Sequence, residues 1–127
     1  MSRGILDTSV LIATDVTPIP GELAISVASV AELQFGVLIA KTAEARALRL
    51  SRLSAIQRRF DPLPIDDATA DSYARLAARV VEIGRQPRAR VIDLLIAATA
   101  HAHGAAVYTR NADDLAGLED LITVRAV

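Results

Sequence analysis

The chain has no cysteine and no tryptophan, and aromatic residues make up only 3% of its 127 residues. The absence of cysteine excludes disulfide bonds, thiolate nucleophiles and cysteine-ligated zinc. With so few aromatic side chains, a hydrophobic core has to be built from Leu, Ile, Val and Ala. The 24 alanines favour helices and argue against an all-β fold.

Lysine is also scarce, because Lys41 stands alone beside 13 arginines. A phosphoacceptor receiver domain needs a lysine at the end of a late strand, so that class is excluded. The 14 basic residues are balanced by 15 acidic ones, and the net charge of −1 excludes a domain that holds nucleic acid by bulk positive charge.

No apolar run approaches the roughly 20 residues that span a bilayer. Asp7 interrupts the apolar segment 4–13 in the middle of what would be a signal-peptide core. We therefore expect a cytoplasmic protein that has no signal peptide and does not associate with a membrane.

Apolar residues are plentiful enough for one globular domain. They make up 52% of the chain, which is too high a fraction for disorder, and the length predicts a single domain over residues 1–127. Short apolar runs alternate with amphipathic ones, which predicts an α/β sandwich around a mainly parallel sheet of four to five strands flanked by helices. Strands are expected at 4–6, 23–27, 105–109 and 122–125, with a weaker candidate at 63–65; helices are expected at 29–40, 43–59, 68–83 and 91–103.

Acidic residues occur where predicted strands lead into helices, at four separate junctions. Asp7 directly follows the first strand, and Glu32 lies in the first turn of the helix after the second. Asp93 lies at the start of the predicted helix at 91–103. Asp113 and Asp114 follow the predicted strand at 105–109. Because ligands of such sheets bind beyond the carboxyl ends of the strands, we expect these side chains to lie close together.

Carboxylates gathered at one place repel each other, and burying them costs several kcal/mol unless a positive charge neutralises them. Mg²⁺ and Mn²⁺ prefer oxygen ligands, and such an ion can activate water and stabilise charge on a phosphodiester. A nucleic-acid substrate is therefore compatible with the net charge of −1, because metal ions rather than a basic surface would recruit the phosphate.

Each acid also has a structural alternative. Asp7 can cap a following helical turn, and Ser29 with Glu32 matches the capping box of a helix that begins at Ser29. Asp93 and the acids of the last motif can favour a helix N-terminus through its dipole. We favour the functional interpretation because four junctions share the feature.

Four motifs in this order resemble the PIN-domain ribonucleases, and specifically the VapC-type toxins of bacterial toxin–antitoxin pairs: LDTS at 6–9, SVAEL at 29–33, DLLIAATA at 93–100 and TRNADDL at 109–115. The resemblance covers essentially the whole chain and implies the PIN-like three-layer sandwich. Two positions depart from the family pattern, because Ile92 stands where Asn is common and Leu115 where Phe is common. The catalytic and metal-binding acids that the resemblance implies are Asp7, Glu32, Asp93 and Asp114, with Asp113 as the neighbour that could take the fourth place, and the supporting polar residues are Thr8, Ser9 and Asn111.

The resemblance implies an endoribonuclease that depends on Mg²⁺ or Mn²⁺. A metal-activated water would attack the phosphorus in line and leave 5′-phosphate and 3′-hydroxyl ends. The implied partners are an RNA substrate, a cognate VapB-type antitoxin and a second copy of the chain in a homodimer. The alternative is a catalytically silent PIN-fold protein-interaction module, which the presence of all four acids argues against.

Two groups of arginines are further candidates for contacting RNA. Arg85, Arg88 and Arg90 precede Asp93 and could grip phosphates in bidentate pairs, although a solvated loop is an equal alternative. The second group lies on one face of the helix predicted at 43–59. We favour a solvated surface for this face over a contact with RNA or with the antitoxin. The arginines of this face are Arg46, Arg49, Arg52, Arg58 and Arg59.

Overall fold

A parallel sheet of four strands lies at the centre of the structure, a computed structural model that describes residues 2–127. Its strands are Arg3–Leu6 (β1), Glu22–Ala24 (β2), Ala106–Thr109 (β3) and Val124–Ala126 (β4). The order across the sheet is β2-β1-β3-β4, and every neighbouring pair is parallel. The carboxyl ends of all four strands therefore lie at the same edge, and the predicted parallel α/β architecture is confirmed.

Helices cover both faces of this sheet. Within the described residues they are Thr8–Leu11 (α1), Val27–Leu38 (α2), Ala43–Arg59 (α3), Asp67–Glu82 (α4) and Val91–Ala102 (α5). Two short 3₁₀ turns, Pro87–Arg90 and Ala112–Leu115, lie at the edge of the sheet that carries the strand ends. The helices pack in pairs, α4 on α5 and α2 on α3.

The strand β1 divides the core into two layers because successive side chains point to opposite faces of a sheet. Ile5 packs with Leu76 and Leu94 on the side of α4 and α5. Leu6 packs with Ile25 and Leu53 on the side of α2 and α3. Burial on both faces explains why this strand is continuously apolar rather than alternating. The result is the predicted three-layer sandwich.

The start of α2 differs from the sequence prediction. Ser26 is the N-cap residue, and its hydroxyl oxygen accepts a hydrogen bond of 3.0 Å from the backbone N–H of Ala28. Ser29 lies inside the helix and is completely buried. The predicted capping box of Ser29 and Glu32 is therefore wrong, because the earlier serine already satisfies the helix end. Glu32 lies in the second turn, and capping does not account for its carboxylate.

Three predicted strands are also shorter than expected. The second strand ends at Ala24 because the chain turns into the α2 cap, and the candidate at 63–65 is reduced to one parallel bridge between Ser26 and Leu63. The last strand begins at Val124 rather than at 122. None of these changes moves an acidic residue away from the strand ends. Within residues 2–127, no helix has both the length and the hydropathy needed to cross a membrane.

Candidate active site

Three carboxylates line one small cleft beyond the carboxyl ends of β1 and β3: those of Asp7, Asp93 and Asp114. Thr109 and Asn111 line the same cleft and add further oxygen atoms. Its floor is apolar and consists of Ile96, Val107 and Leu115. Leu115, one of the two departures from the family pattern, is buried there and so fills an apolar position. The parallel sheet thus brings three of the four acidic junctions together, as predicted.

Asp7 serves both as a helix cap and as a wall of the cleft. It is the N-cap residue of α1, and its Oδ1 accepts bonds from the backbone N–H of Val10 at 3.1 Å and from Ser9 Oγ at 2.6 Å. Ser9 Oγ in turn accepts a bond of 2.9 Å from the backbone N–H of Arg110. Because both bonds go to Oδ1, Oδ2 of Asp7 is left without a hydrogen bond to residues 2–127. Capping α1 and presenting a carboxylate to the cleft are therefore compatible roles for Asp7.

Asp93 is the electrostatic centre of the acidic group. Its pKa is raised above the ordinary value, first by burial and then by the negative charges of Asp114, Glu32 and Asp7. The positive charge of Arg90 opposes this shift in part. The other three predicted acids therefore each lie near enough to Asp93 to act on its carboxyl group.

Glu32 stands at the rim and not in the cleft itself. It does not line the cleft, but it shares a neighbouring depression with Arg90 and Asp93. On its other side it borders a depression that also contains Thr8 and Arg49. Its carboxylate thus approaches Asp93 from the α2 side of the site.

Arg90 lies among the carboxylates. Its Nη1 is 2.7 Å from Asp114 Oδ1 and 3.9 Å from Asp93 Oδ2, and the three side chains remain 36–40% exposed. Of the three arginines predicted to contact RNA, Arg90 is thus held beside the acids. Arg88 is exposed on the same 3₁₀ turn, whereas Arg85 donates a bond of 3.4 Å to the carbonyl of Ala116. Contact with RNA stays a prediction for all three.

The two adjacent acids of the last motif have different surroundings. Asp114 is half-buried and lines the cleft, whereas Asp113 is exposed and does not line it.

Thr8, which the sequence predicted as a supporting residue, does not line the cleft. Its hydroxyl donates to Ser29 Oγ at 3.2 Å and so joins α1 to α2. Thr109 was not singled out from the sequence. Its place at the head of the TRNADDL motif, where β3 ends, was the signal that could have found it.

Other polar pairs of interest lie outside the cleft. Ser72 Oγ and His101 Nδ1 are 2.8 Å apart, but Ser72 is buried between α4 and α5, so the pair joins two helices. On α3, Arg49 donates a bond of 2.6 Å to the carbonyl of Gly36, and Arg46 reaches that of Ala40 at 3.5 Å. Arg49 therefore ties α3 to α2, and Arg46 ties it to the segment just after α2. Arg52 lines, together with Arg49, the depression that borders Glu32.

The donor atoms of the cleft fit a hard divalent cation in kind, because all of them are oxygens. The spacing of these side chains does not fit one ion, because no three acidic or histidine side chains of residues 2–127 are close enough together to hold it. The charge next to Asp114 is supplied by the guanidinium of Arg90. The cleft thus offers oxygen atoms of the kind that such an ion prefers, and Arg90 is paired with one of them.

Comparison with known proteins agrees with this geometry. The sequence profile of the PIN domain matches residues 5–120. Ribonuclease VapC5 of Mycobacterium tuberculosis is 41% identical to the chain, over 99% of this chain and 95% of that protein. Ribonuclease VapC4 of the same organism is 38% identical, over 94% and 93%. The crystal structure of VapBC-5 from M. tuberculosis, a member of the VapBC family of toxin–antitoxin systems, matches with a TM-score of 0.88 at 39% identity and covers 100% of both chains.

Proposed function

The chain belongs to the PIN-domain family, as a VapC-type ribonuclease toxin of a toxin–antitoxin pair, and on this premise we propose that it is an endoribonuclease that depends on Mg²⁺ or Mn²⁺. The observation that carries the metal dependence is the cleft in which Asp7, Asp93 and Asp114 face one another. A positive charge would stabilise carboxylates placed in this way, since burial and then the neighbouring negative charges raise the pKa of Asp93.

The residues that would hold the ion are Asp7, Asp93 and Asp114, with Glu32 approaching from the rim. A divalent ion held there would supply Lewis-acid chemistry for phosphodiester hydrolysis that leaves 5′-phosphate and 3′-hydroxyl ends. Ser9 and the N–H of Val10 fix the carboxylate of Asp7 through Oδ1, so that its other oxygen keeps a defined direction.

RNA would approach along the 3₁₀ turn Pro87–Arg90, which borders the acidic cleft. Arg88 is exposed on this turn, and a guanidinium can bind a phosphate through two parallel hydrogen bonds. The apolar floor at Ile96 and Val107 limits how deeply solvent enters behind the acids. Because the proposed substrate is cellular RNA, we propose the cytoplasm as the site of the activity.

A VapB-type antitoxin is the protein partner of a toxin of this type. Large apolar side chains are exposed on and just after α2, where Phe35 is 61%, Leu38 76% and Ile39 53% accessible. Exposed apolar surface of this kind is typical of protein–protein contacts and supports a protein partner here. A homodimer of the toxin is the remaining proposal and is testable by light scattering with and without the antitoxin.

The experiment that tests the active site compares two neighbouring acids. Asp114→Asn should reduce metal-dependent RNA cleavage by at least about a hundredfold, because it removes a charge from the cleft. Asp113→Asn removes the same charge one residue away on the exposed side, and we expect nearly unchanged cleavage. Cleavage of a labelled RNA is measured with Mg²⁺, with Mn²⁺ and with EDTA. Equal effects of the two substitutions, or full activity in EDTA, would contradict the assignment, and no cleavage under any condition would favour the silent interaction module.

A further inference from the structure

Arg90 occupies a position that local helix chemistry does not favour. It is the N-cap residue of α5, a position where serine, threonine, aspartate and asparagine are preferred. The positive end of the helix dipole also disfavours a cation there. When a residue breaks a local rule of this kind, a functional contact is the usual compensation.

The compensating contact is the acidic cleft. Nη1 of Arg90 lies 2.7 Å from Asp114 Oδ1, so the two side chains form an ion pair. The same atom lies 3.9 Å from Asp93 Oδ2, so one guanidinium reaches carboxylates that come from two different elements. An oxygen of Asp114 that would serve a metal ion is thus already engaged.

We propose that Arg90 is the internal counter-ion of the cleft, whose guanidinium holds Asp114 in the metal-free protein and must leave Asp114 when a divalent ion binds. This inference rests on the proposed metal site, and it adds that an arginine and the metal compete for the same carboxylate. It also accounts for the absence, among residues 2–127, of three acids close enough together to hold an ion.

Once a metal ion has displaced it from Asp114, the guanidinium of Arg90 is free to bind another anion. A freed Arg90 would remain beside the cleft on the turn Pro87–Arg90, and a phosphate of the RNA backbone is the group that it would bind best. RNA would then draw Arg90 away from Asp114 and strengthen metal binding. By thermodynamic linkage, the metal would strengthen RNA binding by the same factor.

The test is calorimetric titration of the RNA-free protein with Mn²⁺. Arg90→Gln should bind Mn²⁺ about fivefold more tightly than the wild type, a factor that corresponds to about 1 kcal/mol for a partly exposed ion pair. Arg90→Lys keeps the positive charge and should stay close to the wild-type affinity. Arg88→Gln, which removes an exposed arginine from the same turn, is the matched control and should also stay close to it.

A second measurement follows the thermal midpoint without metal. Arg90→Gln should lower it by about 4 °C, because the carboxylates lose their counter-ion, and Mn²⁺ should restore it by a larger increment than in the wild type. These readouts do not require RNA cleavage. A residue that only packed against its neighbours would not make metal binding tighter when it is truncated.

The possible failures are distinguishable. Equal Mn²⁺ affinity of the wild type and Arg90→Gln, or equal tightening by Arg88→Gln, would overturn the counter-ion role and leave the metal site standing. Failure of both the wild type and Arg90→Gln to bind Mn²⁺ would overturn the metal site and the counter-ion role together. Tightening by Arg90→Gln alone would support both.

Discussion

Ser9 offers a sharp test of how the cleft is held in shape. Its hydroxyl donates to Asp7 Oδ1 at 2.6 Å and accepts the backbone N–H of Arg110 at 2.9 Å, so it joins the end of β1 to the end of β3. Ser9→Ala removes both bonds and leaves the Asp7 carboxylate with the N–H of Val10 as its remaining partner. We therefore expect a loss of both stability and activity.

The magnitude follows from the two bonds. A hydrogen bond to a charged group contributes about 1.5–3 kcal/mol, and partial exposure of the pair places its loss near the lower end. Water can replace the bond to the exposed Arg110, which therefore adds little. A net loss of about 1.5 kcal/mol in a domain of this size lowers the melting temperature by about 6 °C.

The effect on catalysis should be larger than this loss of stability implies. Removing a group that orients a metal ligand typically reduces metal affinity or activity by about 10- to 100-fold. The assays are RNA cleavage at saturating Mg²⁺, Mn²⁺ titration and thermal denaturation. Ser51→Ala, on the exposed face of α3, is the control and should change none of them. Wild-type cleavage together with an unchanged melting temperature in Ser9→Ala would refute the argument that this hydroxyl positions Asp7.

Two further predictions concern the charge of Asp93 and the start of α2. The pKa of Asp93 is raised in the folded protein, chiefly by burial, so its ionised form destabilises the metal-free fold. This loss of folding stability is absent below pH 3.8, the ordinary pKa of the side chain, where Asp93 is protonated in both states. The loss appears as the pH rises through the raised pKa of the folded state. Asp93→Asn should therefore be more stable than the wild type at about pH 7 and equal to it at about pH 3, and a constant difference in thermal scans across this range would contradict the sign. Ser26→Ala should cost about 1–2 kcal/mol in urea denaturation, because it removes the N-cap, whereas Ser29→Ala should cost less; the reverse order would restore the helix start expected from the sequence.

The acids could be predicted as a group because their placement follows a simple rule. Residues directly after a buried strand lie at the edge where parallel strands end, whatever the rest of the chain does. Asp7 follows the apolar run of β1, and the pair Asp113 and Asp114 follows that of β3, so these positions were found from residue order alone. The same rule did not separate Asp113 from Asp114, since neighbours in a 3₁₀ turn share every local signal and differ only in the side of the turn that faces the cleft.

The start of α2 shows a different limit. The sequence places Ser29 in the pattern of a capping box that ends in Glu32, whereas the cap in the structure is Ser26. Both serines are completely buried, and what distinguishes them is the bond that each hydroxyl oxygen accepts. Ser26 Oγ accepts from the backbone N–H of Ala28 at the helix end, whereas Ser29 Oγ accepts from Thr8 of α1. A contact between residues of two different helices leaves no periodic trace in either segment.

The sequence by itself determined the parallel α/β class, the family and the edge at which the acids gather. These depend on hydrophobic periodicity and on residue order, which are local properties. The tertiary structure alone decided that Arg90 forms an ion pair with Asp114, that Ser9 links Asp7 to Arg110, and that Glu32 stays at the rim. Each of these is a side-chain contact between separate elements whose distance depends on how the helices pack against the sheet.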